Sequence, residues 1–175
     1  ISGHICNKIR KLGVKERNIS KLHTGVRLDK LSYNPPQKRF SGRVHCCHIG
    51  RLVEKKNPIK LVQAFKVAIE KLSDKKVSIK LTIAGDGPLY GPLQDEIERL
   101  NLRNHVECLG SISHRQVINL LNKCHIHTKY CETASNGDEE GQGVTFAEAH
   151  AIGLPVVSTN HNGIPEVVLN GKTGY

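Results

Sequence analysis

The apolar positions along the chain alternate between two kinds of spacing. RVHCCHIG (Arg43–Gly50), VSIKLTIAG (Val77–Gly85), HVECLG (His105–Gly110), HIHTKY (His125–Tyr130) and PVVST (Pro155–Thr159) are short runs bounded by turn residues, and each predicts a strand. ISKLHTGV (Ile19–Val26) predicts one more, ending at Gly25. Between the strands the spacing becomes helical. Asn57 offers an N-cap and Pro58 a first helical position, and Val62, Phe65, Ile69 and Leu72 then recur on one face. Leu93, Ile97 and Leu100 do the same within Pro88–Leu102, and Ser113 caps HRQVINLLNKC. GVTFAEAHAIG (Gly143–Gly153) predicts a helix that is apolar on nearly every side, and GIPEVV (Gly163–Val168) a short one. KLSYNPPQKRFSG (Lys30–Gly42) is polar with a double proline and predicts a linker.

Strands that alternate with helical crossovers imply a parallel sheet covered by helices on both faces, a Rossmann-like α/β fold. Ligands in such folds bind beyond the carboxyl ends of the strands. Three loops then share one rim: GRLVEKKN (Gly50–Asn57), GDGP (Gly85–Pro88) and ETASNGDEEGQG (Glu132–Gly143).

Composition narrows the choice of ligand. The 175 residues carry a formal net charge of +10, which favours an anionic partner: a phosphorylated ligand, an acidic membrane face or nucleic acid. Three Phe, four Tyr and no Trp supply few stacking platforms, so no nucleic acid partner is expected. No apolar run is long enough to span a membrane, and the opening ISGHICNKIRKLG has no apolar core of the signal-peptide kind. The six cysteines form no C-x-x-C pair, so free thiols in a reducing, cytoplasmic setting are expected. HCCH (His45–His48) resembles a metal motif, but on a strand alternate side chains face opposite ways and four ligands cannot converge. The chain contains no Met, and it stops at NGKTGY without a closing helix. We expect it to be a fragment truncated at both ends.

Candidate chemistry gathers in NGDEEGQGVTFAEA (Asn136–Ala149). Glu148 is the only acid from Val144 to Val157, on a helix that should be buried. A carboxylate there is costly unless it is bonded or paired. Either it satisfies a backbone group or the neighbourhood of His150, or it faces the rim and holds ligand hydroxyls. Glu140 lies in the loop that starts this helix, beside Gly141 and Gly143, which let a backbone approach a ligand closely. The free N–H groups of the first helical turn suit oxygen-rich ligands. A carboxylate repels phosphate but accepts from sugar hydroxyls, so Glu140 should meet an uncharged part of the ligand. Asp138 and Glu139 are expected to be solvated loop acids. The cations for a phosphate would come from Arg51, Lys55 and Lys56 after the first strand of the domain. Two other readings are weaker. AGDGPLYG lacks the third glycine of a dinucleotide fingerprint, with Tyr90 in its place, although Glu107 near the end of the next strand suits that reading. DEE (Asp138–Glu140) has metal-binding oxygens but sits in a long Gly/Asn/Ser loop.

GRLVEKKN, LTIAGDGPL, VECLG, GDEEGQGVTFAEAHAIGLPVVST and NGIPEVVLNGKTG, in this order, resemble the donor domain of the family 4 glycosyltransferases of the two-domain GT-B fold, of the colanic-acid and exopolysaccharide type. The resemblance implies a division into 1–32, the tail of an acceptor domain, 33–42, a linker, and 43–175, an incomplete donor-binding domain. It implies retaining, metal-independent transfer from a nucleotide-diphosphate sugar to a glycan or lipid-linked acceptor, with no cofactor, in the cytoplasm or at the inner membrane face. The family's E-x7-E pair falls on Glu140, which would orient the donor sugar, and Glu148, which would hold the ribose. Arg51 and Lys56 would bind the diphosphate. The backbone of Gly141, Gln142, Gly143 and Val144 would line the sugar and diphosphate, and Cys108 and Leu109 the base. Many members have Pro where this chain has Gly143. The fragment alone is expected to bind donor without transferring it. Its alternatives are a non-catalytic nucleotide-sugar binding module and a Rossmann-type oxidoreductase.

Overall fold

The computed structural model describes residues 2–36 and 41–175; residues 37–40 of the expected linker lie outside them. The five strands of the domain form one parallel sheet: β1 (Arg43–Ile49), β2 (Ser78–Ala84), β3 (Val106–Cys108), β4 (Ile126–Lys129) and β5 (Val156–Ser158). Their order across the sheet is β3-β2-β1-β4-β5. The chain thus starts in the middle, winds outward one way, returns and winds outward the other way. The switch lies between β1 and β4, where ligands of such sheets gather.

Each face carries its own core. Cys46, Leu81 and Ile83 pack under α2 (Pro58–Lys71) and α3 (Tyr90–Arg99), against Leu61, Val62, Phe65, Leu93 and Ile97. Cys47, Ile49 and Ala84 pack on the other face under α4 (His114–Lys123) and α5 (Val144–Ile152), against Leu121, Phe146, Ala149 and Ile152. The two adjacent cysteines therefore belong to opposite cores, as strand alternation requires. None of the six cysteines, all among the described residues, forms a disulfide. Each fully buried leucine of these cores contributes about 2 kcal/mol through the apolar surface it removes from water.

The helix starts follow the capping residues. The Asn57 side chain accepts from Lys60 N at 3.0 Å, with Pro58 behind it in the first turn. Ser113 and Gln116 cap α4 reciprocally, the Gln116 side chain accepting from Ser113 N at 2.9 Å. α5 begins at Gly143, whose φ of +74° excludes most other residues, and a Cβ there would lie 2.9 Å from the Phe146 ring. The expected helix at Gly163–Val168 is only a 3-10 turn, Ile164–Glu166. No helix among the described residues is long and apolar enough to cross a membrane.

One element differs from its pattern. Residues 19–26, expected as a strand, pair with no strand among the described residues. A β pattern without a partner edge has nothing to bond. The segment instead runs from α1 (Gly3–Lys11) across the rim of the sheet, and Thr24 N donates to the Gln142 side chain at 3.1 Å.

Candidate functional site

The three loops after β1, β2 and β4 are tied into one rim by their own backbones. Leu52 N donates to Asp86 O at 2.9 Å, and Leu89 N to Leu52 O at 3.0 Å, which joins the first loop to the second. Glu132 N donates to Lys55 O at 3.0 Å, and Ser135 N and Oγ donate to the Glu54 carboxylate at 2.7 and 2.8 Å, which joins the first to the third. Lys60 Nζ and Asn57 Nδ2 each reach a Glu132 oxygen at 2.6 Å and brace the same junction.

The acids of Asp138–Glu140 part ways on this rim. Asp138 is exposed and pairs with Lys55 at 2.9 Å, and that bond holds its carboxyl below the usual range. Glu139, expected as a solvated loop acid, is instead only 12% exposed. It accepts from Lys8 and from His4 Nε2 (2.9 Å) on α1, and Asn162 Nδ2 donates to its other oxygen at 2.9 Å. The Lys8 bond, followed by the His4 bond, brings its carboxyl down to about 2. Sequence reasoning missed this role because α1 is 128 or more positions away along the chain and carries no motif. Glu140 turns to the site interior. Its side chain is 13% exposed, Oε2 makes no hydrogen bond among the described residues, and Lys56 Nζ stands 3.5 Å away. That pair is an ion contact without hydrogen-bond geometry. The three acids therefore point to three different partners, and among the described residues no group of three or more His, Cys, Asp and Glu is placed to hold a metal ion.

Glu148 lies on α5 and is buried. Its partner comes from α4: His114 Nε2 lies 2.8 Å from Glu148 Oε1. His150, the neighbour weighed from the sequence, does not bond it; the His150 Nε2 is buried without a partner among the described residues. One signal could have found His114. α4 follows β3, so its first turn lies at the strand ends, and His114 directly follows the Ser113 cap.

Arg51 is exposed at the rim and lines a cavity of about 220 Å³ with Gly50, Gly85, Asp86, Ser111 and Ile112. Cys108 and Leu109, assigned to the base from the sequence, do not line this cavity. Leu109 N is bonded to Ile83 O at 2.9 Å in the sheet, and Ser111 and Ile112, just beyond, line the cavity instead. Gly141, Gln142, Gly143 and Val144 form the approach to α5. The Gln142 side chain is turned away from the site, accepting from Thr24 N and lying 3.3 Å from His23 Nδ1, which leaves its backbone for a ligand.

Lys129, at the end of β4, was also missed. It is 2% exposed, and its Nζ donates to Thr145 Oγ1 in the first turn of α5 at 2.7 Å. Burial, then the charge of Lys56, brings its ammonium down to about 8. Two buried histidines adjoin it. His48 is pushed down to about 3, by burial first and then by Lys129 and Lys56, and neither of its ring nitrogens has a partner among the described residues. His127 is pushed well below its usual value for the same leading reason.

Comparison with known proteins agrees with this architecture. The family of glycosyl transferases group 1 matches residues 32–175. The glycosyltransferase WcaL assigned to colanic acid biosynthesis in Escherichia coli (strain K12) is 31% identical over 175 residues, all of this chain and 42% of WcaL. The amylovoran biosynthesis glycosyltransferase AmsK of Erwinia amylovora is 32% identical over 127 residues, 73% of this chain and 30% of AmsK. The chain thus spans less than half the length of these relatives. Among solved structures, WaaG, a glycosyltransferase involved in lipopolysaccharide biosynthesis, superposes with a TM-score of 0.79 at 17% identity, over all of this chain and 47% of that one. HepE of Anabaena, solved with UDP and glucose, superposes with a TM-score of 0.75 at 21% identity, over 99% of this chain and 47% of that one. These likenesses, the motif order and the doubly wound sheet agree, and the chain belongs to the group 1 glycosyl transferases.

Proposed function

We propose that the chain carries the donor site of a retaining, metal-independent glycosyltransferase, which moves a sugar from a nucleoside diphosphate to a glycan or lipid-linked acceptor. The observation that carries this reading is Glu140. Its Oε2 is buried, has no hydrogen bond among the described residues, and faces Lys56 at 3.5 Å. A buried acceptor without a donor is costly, and sugar hydroxyls would supply donors that phosphate cannot.

The remaining groups divide the donor between them. Arg51 and Lys56 take the diphosphate, Arg51 with two parallel hydrogen bonds and Lys56 as a point charge. The first turn of α5 adds N–H groups without intrahelical partners, aimed where charge grows as the diphosphate leaves. Glu140 fixes the sugar so that an acceptor hydroxyl can approach from the side the diphosphate leaves. Glu148, steadied by His114, takes the ribose hydroxyls with its second oxygen. The cavity between Arg51 and Ile112 receives the base. HepE, solved with UDP and glucose, supports a nucleotide-sugar donor of this kind. Segment 1–32 belongs to the acceptor side in this reading, 33–42 to the linker and 43–175 to the donor domain.

Calorimetry with UDP and GDP tests the reading. The unaltered chain should bind one of them equally well with and without EDTA. Arg51→Ala with Lys56→Ala should weaken that binding by at least about a hundredfold, as expected for two lost charge-assisted contacts. Unchanged affinity in the double variant would remove the phosphate site. Turnover with an acceptor would then separate an enzyme from a binding module.

A further inference from the structure

The donor reading leaves one charge unused. Lys129 is buried near Lys56, one of the two residues proposed for the diphosphate, and nothing in the assigned chemistry requires a second buried cation there. Three contacts locate its ammonium. It donates to Thr145 Oγ1 at 2.7 Å. It lies 5.0 Å from the centre of the Phe146 ring, the arrangement of a cation on a π face. It also approaches Gly50: a Cβ on Gly50 would sit 3.6 Å from Lys129 Nζ and 3.3 Å from Lys56 Nζ. Two ammonium groups therefore converge on the one residue between β1 and Arg51 that has no side chain. Arg51 follows Gly50 directly, Glu140 stands 3.5 Å from Lys56, and the charges of Glu140 and Glu148 both act on Lys129. Like charges this close repel, and an anion bound beside the two ammonium groups would relieve that repulsion.

We propose that Lys129 is a positioning residue of the donor site: from below, it fixes Thr145 and with it the first turn of α5, and it adds a buried positive charge to Lys56 where the donor's diphosphate binds. Lys129 does not touch the ligand. It acts through the helix start and through the field, and a charge in a poorly hydrated place acts more strongly than one on the surface. This assignment rests on the donor reading above.

The groups facing Lys129 determine its pH behaviour. They are Lys56 from the turn after β1, His48 from β1, His127 from β4, Cys131 just beyond β4, Glu140 from the loop and Glu148 from α5. The two histidines are held neutral above pH 6.5, and the Cys131 thiol is raised to about 11 by burial, so neither kind changes charge between pH 7 and 9. Lys129, brought down to about 8 chiefly by burial, does. Its charge is present below that pH and is lost above it, so nucleoside diphosphate should bind more weakly as pH rises from 7 to 9.

The test measures UDP and GDP affinity by calorimetry from pH 7 to 9, in the full chain and in Lys129→Met. The unaltered chain should lose about tenfold in affinity across that range, centred near pH 8, with a slope of no more than one proton. Lys129→Met should start about tenfold weaker at pH 7 and stay flat. Thr145→Val keeps the charge but removes the oxygen that stabilises it, and should move the inflection to lower pH. Should Lys129→Met fold poorly, Thr145→Val alone decides. Equal affinities and equal pH profiles in the unaltered chain and the variants would overturn the assignment and leave the donor reading standing. An unaltered chain that binds neither nucleotide overturns the donor reading, and this assignment with it.

Discussion

At the scale of single residues, the sequence points reliably to those that break their local pattern. Glu148 is visible as the one acid of an apolar helix, and the structure finds it buried and bonded. Glu140 is visible beside its glycines. Lys129 is not, because in HIHTKY alternation allows Lys129 to point to water; only the covering of both sheet faces makes it interior. His48 is hidden in the same way within HCCH. It is buried, unbonded among the described residues and neutral, pushed down to about 3 from a usual value of 6.5. The unfolded chain therefore binds a proton at His48 between those two pH values while the folded chain does not. The stability that depends on neutral His48 is complete above pH 6.5 and falls away as pH drops toward 3. His48→Phe should abolish that share of the acid sensitivity, of the order of 5 kcal/mol when fully developed. Urea unfolding of both proteins at pH 7 and pH 4 checks it. The two curves should converge at pH 7 and separate at pH 4, with the variant the more stable.

At the scale of elements, the strands and helices of residues 43–175 were legible because each carries its own local determinants. Asn57 and Pro58 open α2, and Ser113 with Gln116 opens α4. Strand lengths were less legible. HVECLG yields only Val106–Cys108, paired with Leu81–Ile83, and PVVST only Val156–Ser158, paired with His127–Lys129, although both neighbouring strands run further. The strand pattern at 19–26 failed because local preference cannot supply a partner edge. Capping also has a functional consequence at α4. Ser113 fixes the first turn from which His114 reaches Glu148. Ser113→Ala should lower global stability by about 1 kcal/mol, seen as a lower denaturant midpoint with an unchanged slope. It should also weaken UDP or GDP binding severalfold, because Glu148 loses the neighbour that orients it. A loss of stability with no change in nucleotide affinity would mean that His114 only packs against Glu148.

At the scale of the whole molecule, the rim of the sheet joins two parts of the chain that no motif connects. The segment before the expected linker lies against the loop after β4 and the 3-10 turn after β5, and is fastened there at three places. Glu139 holds His4 and Lys8, Gln142 holds Thr24, and Glu166 holds Gly3 N at 2.7 Å and Lys21 at 3.1 Å. Part of the chain's large positive charge is thereby accounted for, since Lys8 and Lys21 meet Glu139 and Glu166 from beyond the expected linker. Glu139 is the central fastening, being the most enclosed of these carboxylates and sharing its oxygens among three donors. Its carboxyl is brought down to about 2 by Lys8 and His4, so the fastening is complete above pH 4.5 and weakens as pH falls toward 2. Hydrogen exchange reads this directly. In Glu139→Gln at pH 7, the amides of α1 should exchange about tenfold faster, the result of losing roughly 1–2 kcal/mol from a partly buried, charge-assisted bond. The amides of β1 and β2 should keep their protection, because their bonds lie in the sheet and do not pass through the rim. If β1 and β2 lost protection in step with α1, the two parts would open as one unit, and Glu139 would be supporting the fold as a whole. Protection lost in α1 alone makes Glu139 of the loop after β4 the joint between segment and sheet, so that a ligand which moves Glu140 also moves the segment fastened through the residue beside it.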